Sequence, residues 1–491
     1  MKKSLSYALS SDTALPHGWS WSTIGAIADV VAGNPAPQGD EYFRDGSQPF
    51  LRVQDMGRLG NNSHVFKTHD YINNKAIQSL RLFPKGSVLF TKSGASTLLN
   101  QRAILGRDMY VVSHIAATIP HEGILSEWLY YWLKTVDFNK LAHATTLPSL
   151  PLSKAKDIPI PVAPHDQQKI IVSEIEKQFS RLDEAVVALK RIRTNLKRYK
   201  ASVLKAAVEG KLTEEWRKKN KDVEPAEKLL KRILAERKKK WEEANPKKKY
   251  KEPAAPDTSN LPELPKGWVW ASLGWLIDEP KYGTAKKCDY KTKGIGVLRI
   301  PNIANGYVDA SDLKFASFEV SDRQTYRLKE GDILTIRSNG SVSLVGKCAL
   351  VIKADEKYLY AGYLIRMRPL SGAVHSKYLM TCFSSLLLRK QIEAKAKSTS
   401  GVNNINSGEL QSLIVPYCGK EEQKEIMRIV DEKLSCLEYL LSTVDVNLKR
   451  AERLRRSILS SAFTGKLRDV SSSHSQPLID DVNRGKSKSD A

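Results

Sequence analysis

The stretch LPHGWSWSTIG, residues 15–25, is written again as LPKGWVWASLG at residues 264–274. Four further pairs follow in the same order. FLRVQDM (50–56) returns as VLRIPNI (297–303), and KGSVLFTKSGAS (85–96) returns as EGDILTIRSNGS (330–341). DIPIPVAPHDQQKII (157–171) returns as SLIVPYCGKEEQKEI (412–426), and KASVLKAAVEGKL (200–212) matches RRSILSSAFTGKL (455–467). Repetition of separate blocks in one order marks an internal duplication. Two copies are too few for a solenoid, which needs about three repeats to bury its core. The sequence therefore implies two similar modules related by an approximate twofold axis.

Each copy has the same internal grammar. It opens with a region of short β-like runs: SVLFT and DILTI are strand-like, introduced by glycine and followed by a Ser/Gly turn. Trp19 and Trp21 alternate at period two, as do Trp268 and Trp270, so each pair faces one side of a strand and packs a core. Each copy ends in a long run without Gly or Pro. Ile175, Phe179, Leu182, Val186 and Leu189 step by four and three; after a skip the pattern resumes at Ile192, Leu196, Tyr199 and Val203. Val430, Leu434, Leu437, Leu441, Val444 and Leu448 do the same, continuing to Leu454 and Ile458. Four-three alternation is a coiled-coil seam, and the skip is a stammer-like defect. Gly210 and Gly465 stand where C-terminal caps belong. Two seams in one chain predict pairing with each other.

This reading gives an α/β (α+β) fold: two similar modules joined by two long helices pairing as an antiparallel coiled coil. The boundaries follow as 1–164 for the first module, 165–212 for the first spacer helix and 213–263 for a charged, exposed helix with a Pro-rich linker. They continue as 264–419 for the second module, 420–467 for the second spacer helix and 468–491 for a disordered tail.

Length and charge agree. At 491 residues the chain exceeds what one hydrophobic core usually supports. Lys and Arg outnumber Asp and Glu by 78 to 54, a formal charge of +24, which favours a polyanionic partner, nucleic acid before membrane. No window approaches the roughly 18–20 apolar residues of a membrane span. The start, MKKSLSYALSSD, lacks the sustained apolar run of a secretory signal. The five cysteines form no C-x-x-C pair, so they read as free thiols in a reducing cytoplasm.

Catalytic equipment is missing from the sequence. EGKLT lacks the first glycine of a phosphate loop, and KGIGVLR lacks the third glycine of a dinucleotide loop. There is no H-E-x-x-H, and His165 beside Asp166 reads as helix-start polarity. NPAP (34–37) carries no aromatic where a DNA amino-methyltransferase tetrapeptide stacks its base, so it reads as a turn.

The tandem G-W-x-W-x-x-[IL]-G blocks, the Gly-x-[IV]-L turn strands, the P-x-x-x-x-x-Q-x-x-I helix start and S-x-L-x-x-A-x-x-G-K-L resemble the specificity subunits of Type I restriction-modification enzymes. GKLTEEWRKKN after the first copy is similar too, and the resemblance covers about residues 15–467. It implies two target-recognition domains reading the halves of a split, asymmetric site in double-stranded DNA. The helices would be spacers that dock two methyltransferase (M) subunits and, through them, restriction (R) subunits. The chain itself would be non-catalytic, with S-adenosylmethionine, ATP and Mg²⁺ on the partners, in the cytoplasm.

Shared turns supply the candidate DNA contacts. Arg52 and Gln54, with Arg299 and Asn302, follow a strand and are placed to reach base edges. Lys92 and Ser93, with Arg337, Ser338 and Asn339, end another strand in a polar loop. Arg102 and Lys347 read as phosphate contacts. The seam is assigned to Ile175, Leu182, Val186, Leu189, Leu196 and Val203 on one helix, and to Val430, Leu437, Leu441, Val444 and Ile458 on the other. Ile175 to Val203 spans about 42 Å at ~1.5 Å per residue, against about 34–36 Å for one turn of B-DNA. Two rivals remain: a fused methyltransferase or nuclease, which needs motifs the sequence lacks, and a DNA-binding coiled-coil regulator or tether without methyltransferase partners.

Overall fold

The computed structural model describes residues 6–10, 12–60, 62–94, 100–141, 149–247, 249–250, 252–253, 255–370, 372–399 and 401–467; the tail from 468 lies outside the described residues. Two compact units divide the chain. One joins Met1–Arg191 with Val444–Ala491, and the other is Ile192–Thr443.

In the first unit the opening stretch finds its partner in the fourth repeated block. Strand Ser20–Thr23 runs antiparallel to Pro159–Val162, with Trp21 opposite Pro161. In the second unit Val269–Ser272 pairs with Ile414–Tyr417, with Trp270 opposite Pro416. Each clamp closes the two ends of a module around its sheets. Trp19 packs edge-on against Trp128 at 5.3 Å between ring centroids, and Trp21 against Trp132 at 6.1 Å. Trp19, Trp21 and Trp268 therefore pack against a core, whereas Trp270 is half-buried and its Nε1 donates to the Pro262 carbonyl at 3.2 Å.

The first module's larger sheet has the spatial order Ala28–Ala32, Ile115–Pro120, Val88–Thr91, Arg102–Leu105, His64–Val65. The second module repeats four of these positions as Lys281–Tyr282, Leu364–Met367, Ile333–Ile336 and Cys348–Leu350. SVLFT and DILTI become the equivalent inner strands Val88–Thr91 and Ile333–Ile336, buried along their length. A smaller sheet accompanies each: Asp70–Ile72, Gln48–Leu51, Met109–Val111, Leu82–Phe83 in one unit, and Lys314–Ala316, Ile295–Leu298, Leu359–Tyr360 in the other.

The predicted long helices are His165–Val208 and Lys420–Phe463, each 44 residues, or about 66 Å at ~1.5 Å per residue. They meet antiparallel within each unit. In the first unit Asp183 pairs with Arg455, whose guanidinium lies 4.7 Å from the Phe179 ring centroid. In the second, Lys200 reaches Glu438 at 3.7 Å, and Val203, Ala207 and Val208 share a core with Ile426, Met427 and Val430. Ile175, Val203, Val430, Leu437 and Val444 are buried; Leu182, Val186, Leu189, Leu196, Leu441 and Ile458 are half-buried.

Three expected seam positions fall outside it: Ile192, Tyr199 and Leu454 are 46%, 48% and 44% exposed. An α-helix drifts about 20° per heptad relative to an ideal seven-residue repeat, so the inward face moves to Leu204, Ala451 and Leu459.

The helix ends bind the beginnings of the modules. Gly210 and Gly465 both adopt left-handed backbone, φ 67°, which a side chain opposes. A Cβ at Gly210 would stand 2.7 Å from Pro265 Cγ, and one at Gly465 would stand 2.4 Å from Pro16 Cγ. The first helix thus ends against the start of the second copy, inside the second unit. The second helix ends against the start of the first copy, inside the first unit. Phe463 fills the space between Trp128 and Trp132, at 4.8 and 5.0 Å.

The expectation of a solvated helix between the copies is corrected. Helix Ala226–Ala244 buries Ala226, Leu229, Leu230 and Ile233 in the core of the second unit. Its lysines, Lys228, Lys231 and Lys238 to Lys240, are all exposed while the apolar stripe is buried, so apolar spacing prevailed over charge. The Pro-rich segment is also engaged: Trp275 Nε1 donates to the Pro253 carbonyl at 3.1 Å, and Trp241 meets Tyr250 at 5.3 Å.

Candidate nucleic-acid interface

Two corners recur in both modules, and they carry most of the candidate contacts. The first follows the inner strand of the larger sheet. Lys92 N donates to the His114 carbonyl at 2.9 Å, and the Lys92 carbonyl accepts from Leu150 N at 2.7 Å. Arg337 repeats the arrangement: its N donates to the Tyr363 carbonyl at 3.0 Å and its carbonyl accepts from Ile405 N at 2.9 Å. One backbone frame therefore presents Lys92 and His114 in one copy, and Arg337 and Tyr363 in the other. Lys92, Ser93, Arg337, Ser338 and Asn339 are all partly exposed. Ser93 Oγ lies 2.8 Å from His114 Nδ1, and Asn339 Oδ1 accepts from Ser341 N at 2.9 Å.

The second corner holds Arg52 and Arg299 at the starts of short helices. Asp55 Oδ2 accepts from Arg52 N, and Asn302 Oδ1 from Arg299 N, both at 2.8 Å. The side chains are already engaged. Arg52 is paired with Asp70 and lies over the rings of Phe43 and Phe50 at 5.5 and 5.6 Å. Arg299 donates to the Asp312 carboxylate at 3.1 Å and lies 5.9 Å from the Tyr290 ring. The Asp70 and Asp312 carboxylates accept guanidinium N–H bonds that a base or phosphate would otherwise accept. Gln54 beside Arg52 is exposed.

Two expected contacts are corrected by burial. Arg102 is only 4% exposed. It donates to the Gln101 carbonyl and to Asn100 Oδ1, both at 2.7 Å, and lies 3.7 Å from the Phe138 ring centroid. Burial pushes its guanidinium down to about 9, and a phosphate has no access to it. Asn302 is 2% exposed; its amide donates to the carbonyls of Asp309 and Asp312 at 2.8 and 2.9 Å, so it braces a turn and meets no base. Strand register makes Cys348, opposite Thr335, the counterpart of Arg102, opposite Phe90; Lys347 stands one residue earlier and is exposed. Asn34 of the NPAP stretch clamps a turn: its amide donates to the Arg81 carbonyl and its Oδ1 accepts from Arg81 N, both at 2.8 Å.

The repeated Q of the helix start does work that sequence reasoning left unassigned. Gln168 is 1% exposed; its amide reaches the carbonyls of Gly123 and Ala163 at 3.1 and 2.8 Å, and its Oε1 accepts from Leu125 N at 3.0 Å. Gln423, fully buried, repeats this with Ala373 and Cys418 at 3.3 and 2.8 Å, and with His375 N at 2.8 Å. One side chain thus fixes each long helix to its module. The preceding residue takes the indole proton of the opening block: Trp19 Nε1 donates to Gln167 Oε1 at 2.8 Å, Trp268 Nε1 to Glu422 Oε2 at 2.9 Å. In the second copy Thr213 Oγ1 and Arg217 Nη1 also reach Glu422 Oε1, at 2.7 and 2.5 Å. That network explains the GKLTEEWR stretch. Recurrence of a polar residue at one place in both copies was the available signal.

The family model of the Type I restriction modification DNA specificity domain matches residues 16–193 and 265–439, one match per copy. The chain belongs to this family. The EcoKI specificity subunit of Escherichia coli (strain K12) is 25% identical over 464 residues, 92% of this chain and 90% of its own length. The StySPI specificity subunit of Salmonella potsdam is 22% identical over 463 residues, with the same two coverages. Among solved structures, one described as the structural basis underlying complex assembly and conformational transition of the type I R-M system has a TM-score of 0.64. It is 16% identical and covers 93% of this chain and 100% of that chain. The HsdS subunit of Thermoanaerobacter tengcongensis gives 0.50 at 16% identity, covering 93% and 99%. Among the described residues no helix is long and apolar enough to cross a membrane.

Proposed function

We propose that this specificity chain reads a bipartite, asymmetric site in double-stranded DNA, one half per module, and scaffolds two methyltransferase (M) subunits and, with them, restriction (R) subunits. The observation that carries the reading is the duplicated corner. Identical backbone bonds hold Lys92 with His114 and Arg337 with Tyr363, which is how one framework serves two different half-sites. Gln54, Lys92, Ser93, Arg337, Ser338, Asn339 and Lys347 are the proposed DNA contacts. Arg52 and Arg299 would join them only by releasing their aspartates.

The functional divisions we propose are 1–164 and 264–419 for recognition, 165–212 and 420–467 for the spacer helices, and 213–263 for the connecting segment. S-adenosylmethionine, ATP and Mg²⁺ belong to the partner subunits, and the complex works in the cytoplasm. The net charge of +24 supplies sequence-independent attraction; contacts at the corners supply choice. Co-purification with the methyltransferase subunit tests the proposal. Two M subunits per chain and methylation of a split site are expected. Methyl transfer by the purified chain alone would return the fused-enzyme alternative, and a stable chain without M subunits would favour a regulator.

A further inference from the structure

The Arg337 side chain is held from two sides and left open on the third. Its guanidinium lies 4.5 Å from the Tyr282 ring centroid, and its Nε donates to Asn404 Oδ1 at 3.2 Å. Tyr282 is itself fixed, its hydroxyl accepting from Ser407 N at 2.8 Å. Asn404 is fixed by strand pairing opposite Ser338. Neither Nη nitrogen of Arg337 has a partner among the described residues. Arg52, Arg299 and Arg368 differ in this respect, being paired with Asp70, Asp312 and Asp332.

Arg337 lines a recess of about 330 Å³ together with Ser338, Gly362, Tyr363, Val402 and Asn404, with no carboxylate among them. Tyr363 is 64% exposed at its rim.

A guanidinium whose Nε is occupied presents two parallel N–H donors. In the major groove guanine offers two adjacent acceptors, O6 and N7; adenine offers one acceptor beside a donor. Resting on the reading of this chain as a DNA-recognition subunit, we propose that Arg337 reads a guanine in the half-site bound by the second module. Asn404 and Tyr282 are its positioning residues. A phosphate is the poorer match for this corner, because a sequence-independent contact gains nothing from differing between copies. The first copy carries Lys92 and His114 on the same backbone frame.

The test uses the full chain co-expressed with its methyltransferase subunit, with methylated sites mapped genome-wide. Wild type, Arg337→Ala, Arg337→Lys and Asn404→Asp are compared, and thermal melting verifies that each variant is folded. Asn404→Asp matters because it converts the open arginine to the aspartate-paired kind without removing it. The expected result for Arg337→Ala is a loss of about tenfold or more in selectivity for guanine at one position of one half-site, with the other half-site unchanged. Arg337→Lys and Asn404→Asp should relax the same position. A uniform fall in methylation at all sequences would make Arg337 a phosphate contact and overturn the proposal, as would unchanged selectivity at every position. A wild-type chain that directs no methylation of a split site would instead overturn the underlying reading, and this proposal with it.

Discussion

Gln168 and Gln423 each satisfy three backbone groups from inside a core. Gln168→Leu or Gln423→Leu leaves buried N–H and C=O groups unpaired, at an expected cost of about 2–4 kcal/mol per site. Denaturation of each variant checks this, and an unshifted transition would show that neither residue anchors its helix. Their role was half legible: the repeated Q was visible, but two of the three partners of each lie 43–50 residues away. Arg102 and Lys347 show where single-residue reading fails. Both drew the same expectation, but the strand register aligns Arg102 with Cys348, while Lys347 stands one residue before its strand; Arg102 is buried and Lys347 exposed. Strand Arg102–Leu105 is buried on both faces, so alternation gives no hint of which way a side chain points.

The long helices were legible as elements because their apolar steps persist for many turns without Gly or Pro. Their packing was less so, since a module's surface decides which stripe is covered near each end. The caps give a sharp prediction. Gly465→Ala or Gly210→Ala forces a side chain into left-handed backbone and against Pro16 or Pro265, an expected loss of about 1–3 kcal/mol. Each should lower the melting temperature of the chain, and a neutral result would mean the helix ends can shift away. Val444 is 6% exposed on the shared face of the first unit. Val444→Lys is therefore expected to reduce assembly with partner subunits, read by size-exclusion chromatography with the co-expressed M subunit.

At the scale of the whole molecule, the order of repeated blocks predicted the duplication. It could not predict that each module would be completed by the end of the other copy's helix, because nothing local in TGKL names Pro16 as its neighbour. Fragment 1–212 lacks Leu459, Ala462 and Phe463 from the core of the first unit. It should be unstable as a monomer and be rescued by a fragment carrying residues 264–467, as read by far-ultraviolet circular dichroism. Within the full chain, Phe463→Ala alone should cost about 3–5 kcal/mol. Adding one heptad to both long helices is expected to lengthen the unread gap in the methylated site while leaving each half-site as it was. Methylome mapping measures that directly.

The contact of Phe463 with Trp128 and Trp132 also sets a timetable for biosynthesis. When the first module leaves the ribosome, the side chains that seal it are still about 250 residues from being made, or roughly 13–50 seconds at ~5–20 residues per second. For that interval two indoles lack their cover. The nascent chain should recruit hydrophobic-binding chaperones until residues 459–463 have been translated, and messages truncated just before them should yield aggregating products although every proposed recognition residue has been synthesised.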